Sequence, residues 1–207
     1  HGTFNMEAMV GDCFVVTSIP GCGNEWIGEA LTDAGIDWSF GSVNPHQWLD
    51  DDKKVLFVLR NPIDWYRDYI LDVVHGSGDF IEIDENIKQV FKHLGSEPAV
   101  AINIAALNLC AQNPGWLSQQ FKMQELAMLP IRDGTAVMDY NQLESNLKLF
   151  IDHCYGSAVL FDWSGSPSLS EYQYSETAPV LFPKTIKDIR REENACYQQF
   201  GNLLGWG

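Results

Sequence analysis

The sequence is short of positive charge. Thirteen Lys and Arg stand against 28 Asp and Glu, a formal net charge of -15 at pH 7, so the average surface potential repels polyanions. No nucleic acid and no anionic membrane is therefore expected as a main partner, although a small anion can still enter a locally basic pocket. The same acidity also has a plain structural reading, a solvated surface that serves solubility.

Long apolar runs are missing as well. The longest candidate, AVAINIAALNLCA, is interrupted by Asn103 and Asn108 and falls short of the roughly 18 apolar residues of a membrane span. No basic segment followed by a hydrophobic stretch lies near His1, as a secretory signal would require, and a cytoplasmic location is expected. The chain opens with His-Gly, which makes Met6 or Met9 the expected original start. Cysteine pairs are absent too: Cys13, Cys22, Cys110, Cys154 and Cys196 are odd in number, scattered and free of any C-x-x-C. Neither a zinc site nor a disulfide framework is indicated, and a reducing compartment fits best. No metal is expected.

What is present is the composition of a globular chain, 45% hydrophobic and 12% aromatic over 207 residues, which predicts a single domain spanning 1–207. DCFVVTS and KKVLFVLR read as buried strands, the second continuous in apolar residues as a strand covered on both faces is. A third strand, TAVMDY, follows later. NEWIGEALTDAG has Trp26, Ile27, Ala30 and Leu31 at helical spacing with Gly35 as its stop, and NPIDWYRDYILDVV begins a helix with Asn61 as N-cap and Pro62 in first position. DENIKQVFKHLG, PAVAINIAALNLCAQN, GWLSQQFKMQELAML and NQLESNLKLFIDHC complete the helical middle. Residues 156–183, rich in Ser, Pro, Gly and aromatics, read as a long surface loop. A closing helix from about Thr185 to Leu204 is expected to present Ile186, Ile189, Cys196, Phe200 and Leu203 on one side. Strands alternating with helices predict an α/β fold, a three-layer sandwich around a central parallel sheet.

In such folds ligands sit at the carboxyl ends of the strands. The first strand runs into VVTSIPGCGNEW, where Gly21 and Gly23 let the backbone approach an anion and aim N–H groups at it, helped by the helix dipole. Cys22, at the start of that helix, is expected to have a lowered pKa. At the second strand end Arg60 offers a planar fork of donors. The generic motifs fail: G-x-x-x-x-G-K-[ST] needs a lysine that the loop lacks, and Trp26 stands where G-x-G-x-x-G needs its third glycine. A common NTPase or a dinucleotide dehydrogenase is disfavoured.

The pair formed by PGCGNEW and VLRNPIDWYRDYI resembles the sulfotransferase family, which carries a P-K-S-G-T-T-W-type loop and an R-N-P-x-D motif. AVMDYNQLESN resembles the family's R-Y-E-x-L segment, and the last helix its closing helix, so the resemblance runs from Phe14 to about Trp206. What it implies is a P-loop-like strand-loop-helix that binds 3'-phosphoadenosine 5'-phosphosulfate (PAPS) as sulfuryl donor, with a small-molecule or glycan acceptor. Carried over residue by residue, the donor site comprises Gly21, Cys22, Gly23, Asn24, Glu25 and Trp26, the last at the position of an adenine-stacking tryptophan. Arg60 and Asp68 take the places of an arginine and a serine that hold the 3'-phosphate.

Several of these positions depart from the family pattern. Gly21 replaces the loop lysine, Cys22 a serine, Asn24 and Glu25 two threonines, and Asp68 puts a negative charge where a phosphate is expected. Sulfuryl transfer needs a base for the acceptor proton and positive charge for the leaving phosphate. His46, in SVNPHQW, is the candidate base; Lys53, Lys54 and Arg67 are candidate sources of charge. Two readings follow: a divergent sulfotransferase, or a catalytically inactive descendant that binds a different anion, nucleotide or protein. A kinase acting on nucleotides or small molecules is a weaker third, since it too wants a loop lysine. The residues also have a purely structural reading, in which the glycines close a turn, Trp26 is core and Arg60 is held by Asp64 or Asp68.

Overall fold

The computed structural model describes residues 6–43, 52–75, 85–94, 97–120, 135–156, 158–173 and 180–207. The chain divides into two compact units, His1–Arg60 with Lys122–Gln173 and Asn61–Phe121 with Tyr174–Gly207.

The first unit is an α/β unit built on five strands: β1 (Met6–Val10), β2 (Phe14–Ser18), β3 (Ser39–Val43), β4 (Lys54–Leu59) and β5 (Thr135–Asp139), in the order β3-β1-β2-β4-β5. The three strands expected from the sequence are β2, β4 and β5, and they are neighbours and parallel, with Ser18 opposite Val58 and Leu59 opposite Asp139. The sheet as a whole is mixed, which corrects the expectation of a parallel one: β1 pairs antiparallel with both β2 and β3. The physical reason is the length of the link. Only residues 11–13 join β1 to β2, and a connection that short permits a hairpin but not a parallel crossover.

All five residues of β2 are buried, as are Val55 to Leu59 of β4. Helix α1 (Asn24–Asp33) buries Trp26, Ile27, Gly28, Ala30 and Leu31 and stops before Gly35, the expected stop, whose φ is 78°. After β5 a 3-10 turn, Tyr140–Gln142, leads into a helix at Leu143–Tyr155 that buries Leu143, Leu147 and Ile151, one stripe at a spacing of four. Among the described residues of 156–183, the only regular elements are the 3-10 turn Leu169–Tyr172 and the first residue of the helix that begins at Pro183.

The second unit is helical: α2 (Pro62–His75), α3 (Glu85–Leu94), α4 (Pro98–Gln112) and α5 (Trp116–Gln120). The Leu143–Tyr155 helix of the first unit is α6 in chain order, and α7 (Pro183–Glu192) returns to the second unit. Asn61 caps α2 as expected, its Oδ1 accepting from the Ile63 N–H at 3.2 Å. Trp65 is buried, stacked on Tyr69 with centroids 5.3 Å apart and 5.1 Å from Trp116.

The closing helix is not continuous from Thr185 to Leu204. It breaks after Glu192 and resumes as Asn194–Cys196, a π turn at Tyr197–Gly201, and Asn202–Leu204. The break lets the Glu193 carboxylate turn inward, where it accepts from Tyr66 Oη (2.6 Å), Leu117 N (3.2 Å), Ser118 N (2.9 Å) and Ser118 Oγ (2.9 Å), so that a buried acid caps α5. The wider π turn then rotates the residues that follow. Ile189, Cys196 and Phe200 are buried as expected, whereas Leu203 is exposed. Among the described residues no helix is long and apolar enough to cross a membrane.

Candidate functional site

The carboxyl ends of β2, β4 and β5 bring three sequence segments together: the glycine loop after Ser18, Arg60 after Leu59, and Asp139-Tyr140. In the loop, Gly21 and Gly23 adopt φ of 84° and 87°, a left-handed conformation that costs other residues roughly 1–2 kcal/mol. Gly23 has a second reason to lack a side chain. A Cβ there would lie 2.7 Å from Leu143 Cδ2 and 3.2 Å from Tyr140 Cε2, so the loop lies directly against the start of α6.

Cys22, between the two glycines, is fully buried. Burial pushes its thiol up to about 12, with Asp139 adding to the rise and Arg60 opposing it. This overturns the lowered pKa expected at a helix start: desolvation outweighs both the dipole and the guanidinium.

Arg60 is 7% exposed. Its Nη1 donates to the Gly21 carbonyl oxygen at 2.9 Å, and its Cζ lies 4.1 Å from the centroid of the Tyr140 ring. Tyr140 is itself held by Gln173, whose Nε2 donates to the phenol oxygen at 3.1 Å. Asp139 accepts the Asn141 N–H at 3.0 Å. Arg60 therefore ties the first motif to the second and both to the third. The family-like segments meet, as ligand-binding strand ends do in open α/β sheets.

Asn24, at the first position of α1, accepts from Ser18 Oγ through Oδ1 and donates from Nδ2 to Glu7 Oε2 at 3.2 Å. Glu25 is exposed in the first turn. Trp26, aligned by the resemblance with an adenine-stacking residue, is 1% exposed, and its indole N–H donates to the Pro167 carbonyl at 2.8 Å.

Asp68 and Lys54 have partners within their own units. Asp68 is on α2 in the helical unit, 3.9 Å from Arg67 Nε, and Arg67 Nη2 lies 3.3 Å from Asp64 Oδ1. Lys54 Nζ donates to the His153 carbonyl at 3.4 Å. His46 lies outside the described residues, as do Tyr174 and residues 76–84. Trp163 donates to Asp152 Oδ1 at 3.4 Å and Tyr172 to Glu29, so both cover helices of the first unit.

Sequence reasoning missed Glu7 and Ser18. Glu7 sits in MEAMV, a strand too short and mixed to stand out, and Ser18 reads as a strand end; only the β1–β2 register, which sets Glu7 opposite Ser18, joins them. Among the described residues no group of His, Cys, Asp and Glu is arranged to hold a metal ion. Comparison with family models, with curated proteins and with solved structures returned no match.

Proposed function

We propose that the protein is a divergent sulfotransferase-like protein that binds PAPS at the β2–α1 loop and Arg60, and transfers its sulfuryl group to a hydroxyl or amine of a small molecule or glycan. The P-loop-like three-layer architecture and a cytoplasmic location, with no nucleic-acid or membrane partner, belong to the same reading. The observation that carries it is the hydrogen bond from Arg60 Nη1 to Gly21 O, which joins the loop after β2 to the end of β4; a donor site that uses both motifs requires such a join.

In this reading the loop and α1 direct N–H groups at the donor's phosphosulfate. Arg60 leaves the Gly21 carbonyl for a phosphate oxygen, keeping its face on Tyr140. His46 removes the acceptor proton. Without a loop lysine, stabilisation of the leaving phosphate is short of one charge, and losing one such contact costs about 2.7–4 kcal/mol of barrier. Slow turnover is the consequence.

Titration calorimetry with 3'-phosphoadenosine 5'-phosphate at low and moderate salt tests the reading. Micromolar binding, weakened in Arg60→Lys, is expected, followed by sulfuryl transfer from PAPS in an acceptor screen. Absence of heat for the folded protein overturns the donor site; binding without transfer to any acceptor overturns the activity.

A second reading, a non-catalytic descendant, is favoured by one observation: at the lysine position stands a residue with φ of 84° whose carbonyl already takes the buried guanidinium. Gly21→Lys combined with Asp68→Ser should then create affinity that the natural chain lacks. Because lysine at that φ is strained by about 1–2 kcal/mol, circular dichroism must first show the double variant folded.

A further inference from the structure

Among the described residues the sheet ends on one side at β3, whose strand partner is β1. An outer strand edge of this kind is usually blunted by Lys, Pro or a covering element. Ser39–Val43 contains neither charge nor proline, and Gly41 at its centre leaves the backbone open to close approach by another chain. Beside that edge stands an aromatic platform. Phe40 is 74% exposed, and its ring meets that of Trp38 edge-on, with centroids 4.7 Å apart and planes at 84°. Trp38 is fixed to α1: its indole N–H donates to Thr32 Oγ1 at 3.0 Å, and a Cβ on Gly28 would come within 2.9 Å of its Cζ2. Charge then decides the kind of occupant. No Lys or Arg precedes Lys53 in the sequence, and Glu29, Asp33 and Asp37, the chain neighbours of Gly28, Thr32 and Trp38, are all exposed. Glu29 also accepts from the Tyr172 hydroxyl. A second copy of this chain, at a net charge of -15, is repelled from such a corner, whereas a basic segment is drawn to it.

We propose that β3 is a docking edge for an extended segment rich in Lys and Arg on a partner protein. The segment adds to the sheet as a strand beyond β3, its backbone pairing with the outer N–H and C=O groups of Ser39–Val43. An Arg guanidinium suits the platform in two ways, by stacking on the rings of Trp38 and Phe40 and by its charge. Main-chain pairing supplies the affinity, while the rings and the carboxylates of Asp33 and Asp37 select a basic segment over an acidic one. Docking at this edge is independent of donor binding at the β2–α1 loop.

The test titrates the full chain into fluorescein-labelled peptides of about ten residues that alternate Arg with Val, Ile, Leu or Phe, and reads anisotropy at low and moderate salt. Expected are micromolar binding that weakens with salt, loss of binding when every Arg is replaced by Glu, and loss when alternate peptide amides are N-methylated, which removes strand pairing and keeps the charge. Phe40→Ala should weaken binding about fivefold, and Asp33→Lys combined with Asp37→Lys should weaken it as well. All three residues are exposed, so the circular dichroism of these variants should match that of the natural chain. Amide exchange at Ser39–Val43 should slow when the peptide is present. No binding by any peptide of the panel, equal binding of the N-methylated peptide, unchanged affinity in folded Phe40→Ala, or unchanged exchange at Ser39–Val43 would each overturn the proposal. So would exchange at those residues that slows with protein concentration alone, since a second copy would then be the occupant. The N-methylated peptide and the exchange of the natural chain decide the matter even where a variant fails to fold.

Discussion

The Nη1 atom of Arg60 donates to the carbonyl oxygen of Gly21, 39 residues earlier in the chain, at 2.9 Å. A buried guanidinium usually needs a carboxylate or an anionic ligand. Here a backbone oxygen and the face of Tyr140 are among its partners, so a residue suited to grip a phosphate also serves as the joint between two strand ends.

Removing that joint should be costly. A hydrogen bond to a charged group contributes about 1.5–3 kcal/mol and a desolvated cation–π contact about 2, so Arg60→Ala is expected to lower stability by roughly 3.5–5 kcal/mol in urea unfolding. Arg60→Lys, which keeps the charge but loses the fork, should fall between. An unchanged midpoint in Arg60→Ala would show that the joint contributes nothing.

Trp26 separates two roles by substitution. Its indole N–H is bonded to Pro167 O and its ring is buried, so Trp26→Phe is expected to cost about 1–3 kcal/mol of stability and to leave affinity for 3'-phosphoadenosine 5'-phosphate unchanged. A selective loss of affinity at unchanged stability would instead mean that the ring leaves the core to stack on adenine.

Alkaline pH should weaken the fold through Cys22. Its folded pKa is raised to about 12 from an ordinary 9.0, so the stability tied to the neutral thiol is complete below pH 9 and is lost as pH climbs toward 12. The slope from this one group is about 1.4 kcal/mol per pH unit. Because Cys110 and Cys154 are raised in the same way, unfolding free energies measured under reducing conditions should fall at least that steeply above pH 9, and Cys22→Ala should be shallower by the slope of one group. Equal slopes would show that the folded thiol ionises like an unfolded one.

In the helical unit, Glu193→Ala would strip the Tyr66 hydroxyl and the Leu117 and Ser118 amides of their acceptor. At about 1–3 kcal/mol per orphaned buried donor, a loss of about 3 kcal/mol or more is expected in thermal unfolding. Faster hydrogen exchange at Leu117 and Ser118 should accompany it; exchange rates like those of the natural chain would argue against the cap.

How much was legible beforehand differs by element. Buried strands of adjacent apolar residues, such as VLFVL and FVVTS, and helices with a cap or a glycine stop, such as those at Asn61 and Gly35, carry their signal within a few residues of themselves. MEAMV and SFGSV do not, because a Glu, a Ser or a Gly in a five-residue strand erases the alternation that would mark it. The pairing of β1 with β2, and of β3 with β1, exists only once a sheet edge is there to receive them.

By itself, then, the sequence determined the order of the main elements, the left-handed glycines of the loop and the candidate anion-binding residues, because these depend on backbone freedom and local spacing. Only the tertiary structure decided what those residues do at rest: that Arg60 holds Gly21, that Trp26 is core, that Cys22 is a buried thiol, and that Glu193 breaks the last helix to cap another. Burial and hydrogen-bond partners drawn from 39 to 141 residues away set those roles, and no local pattern encodes them.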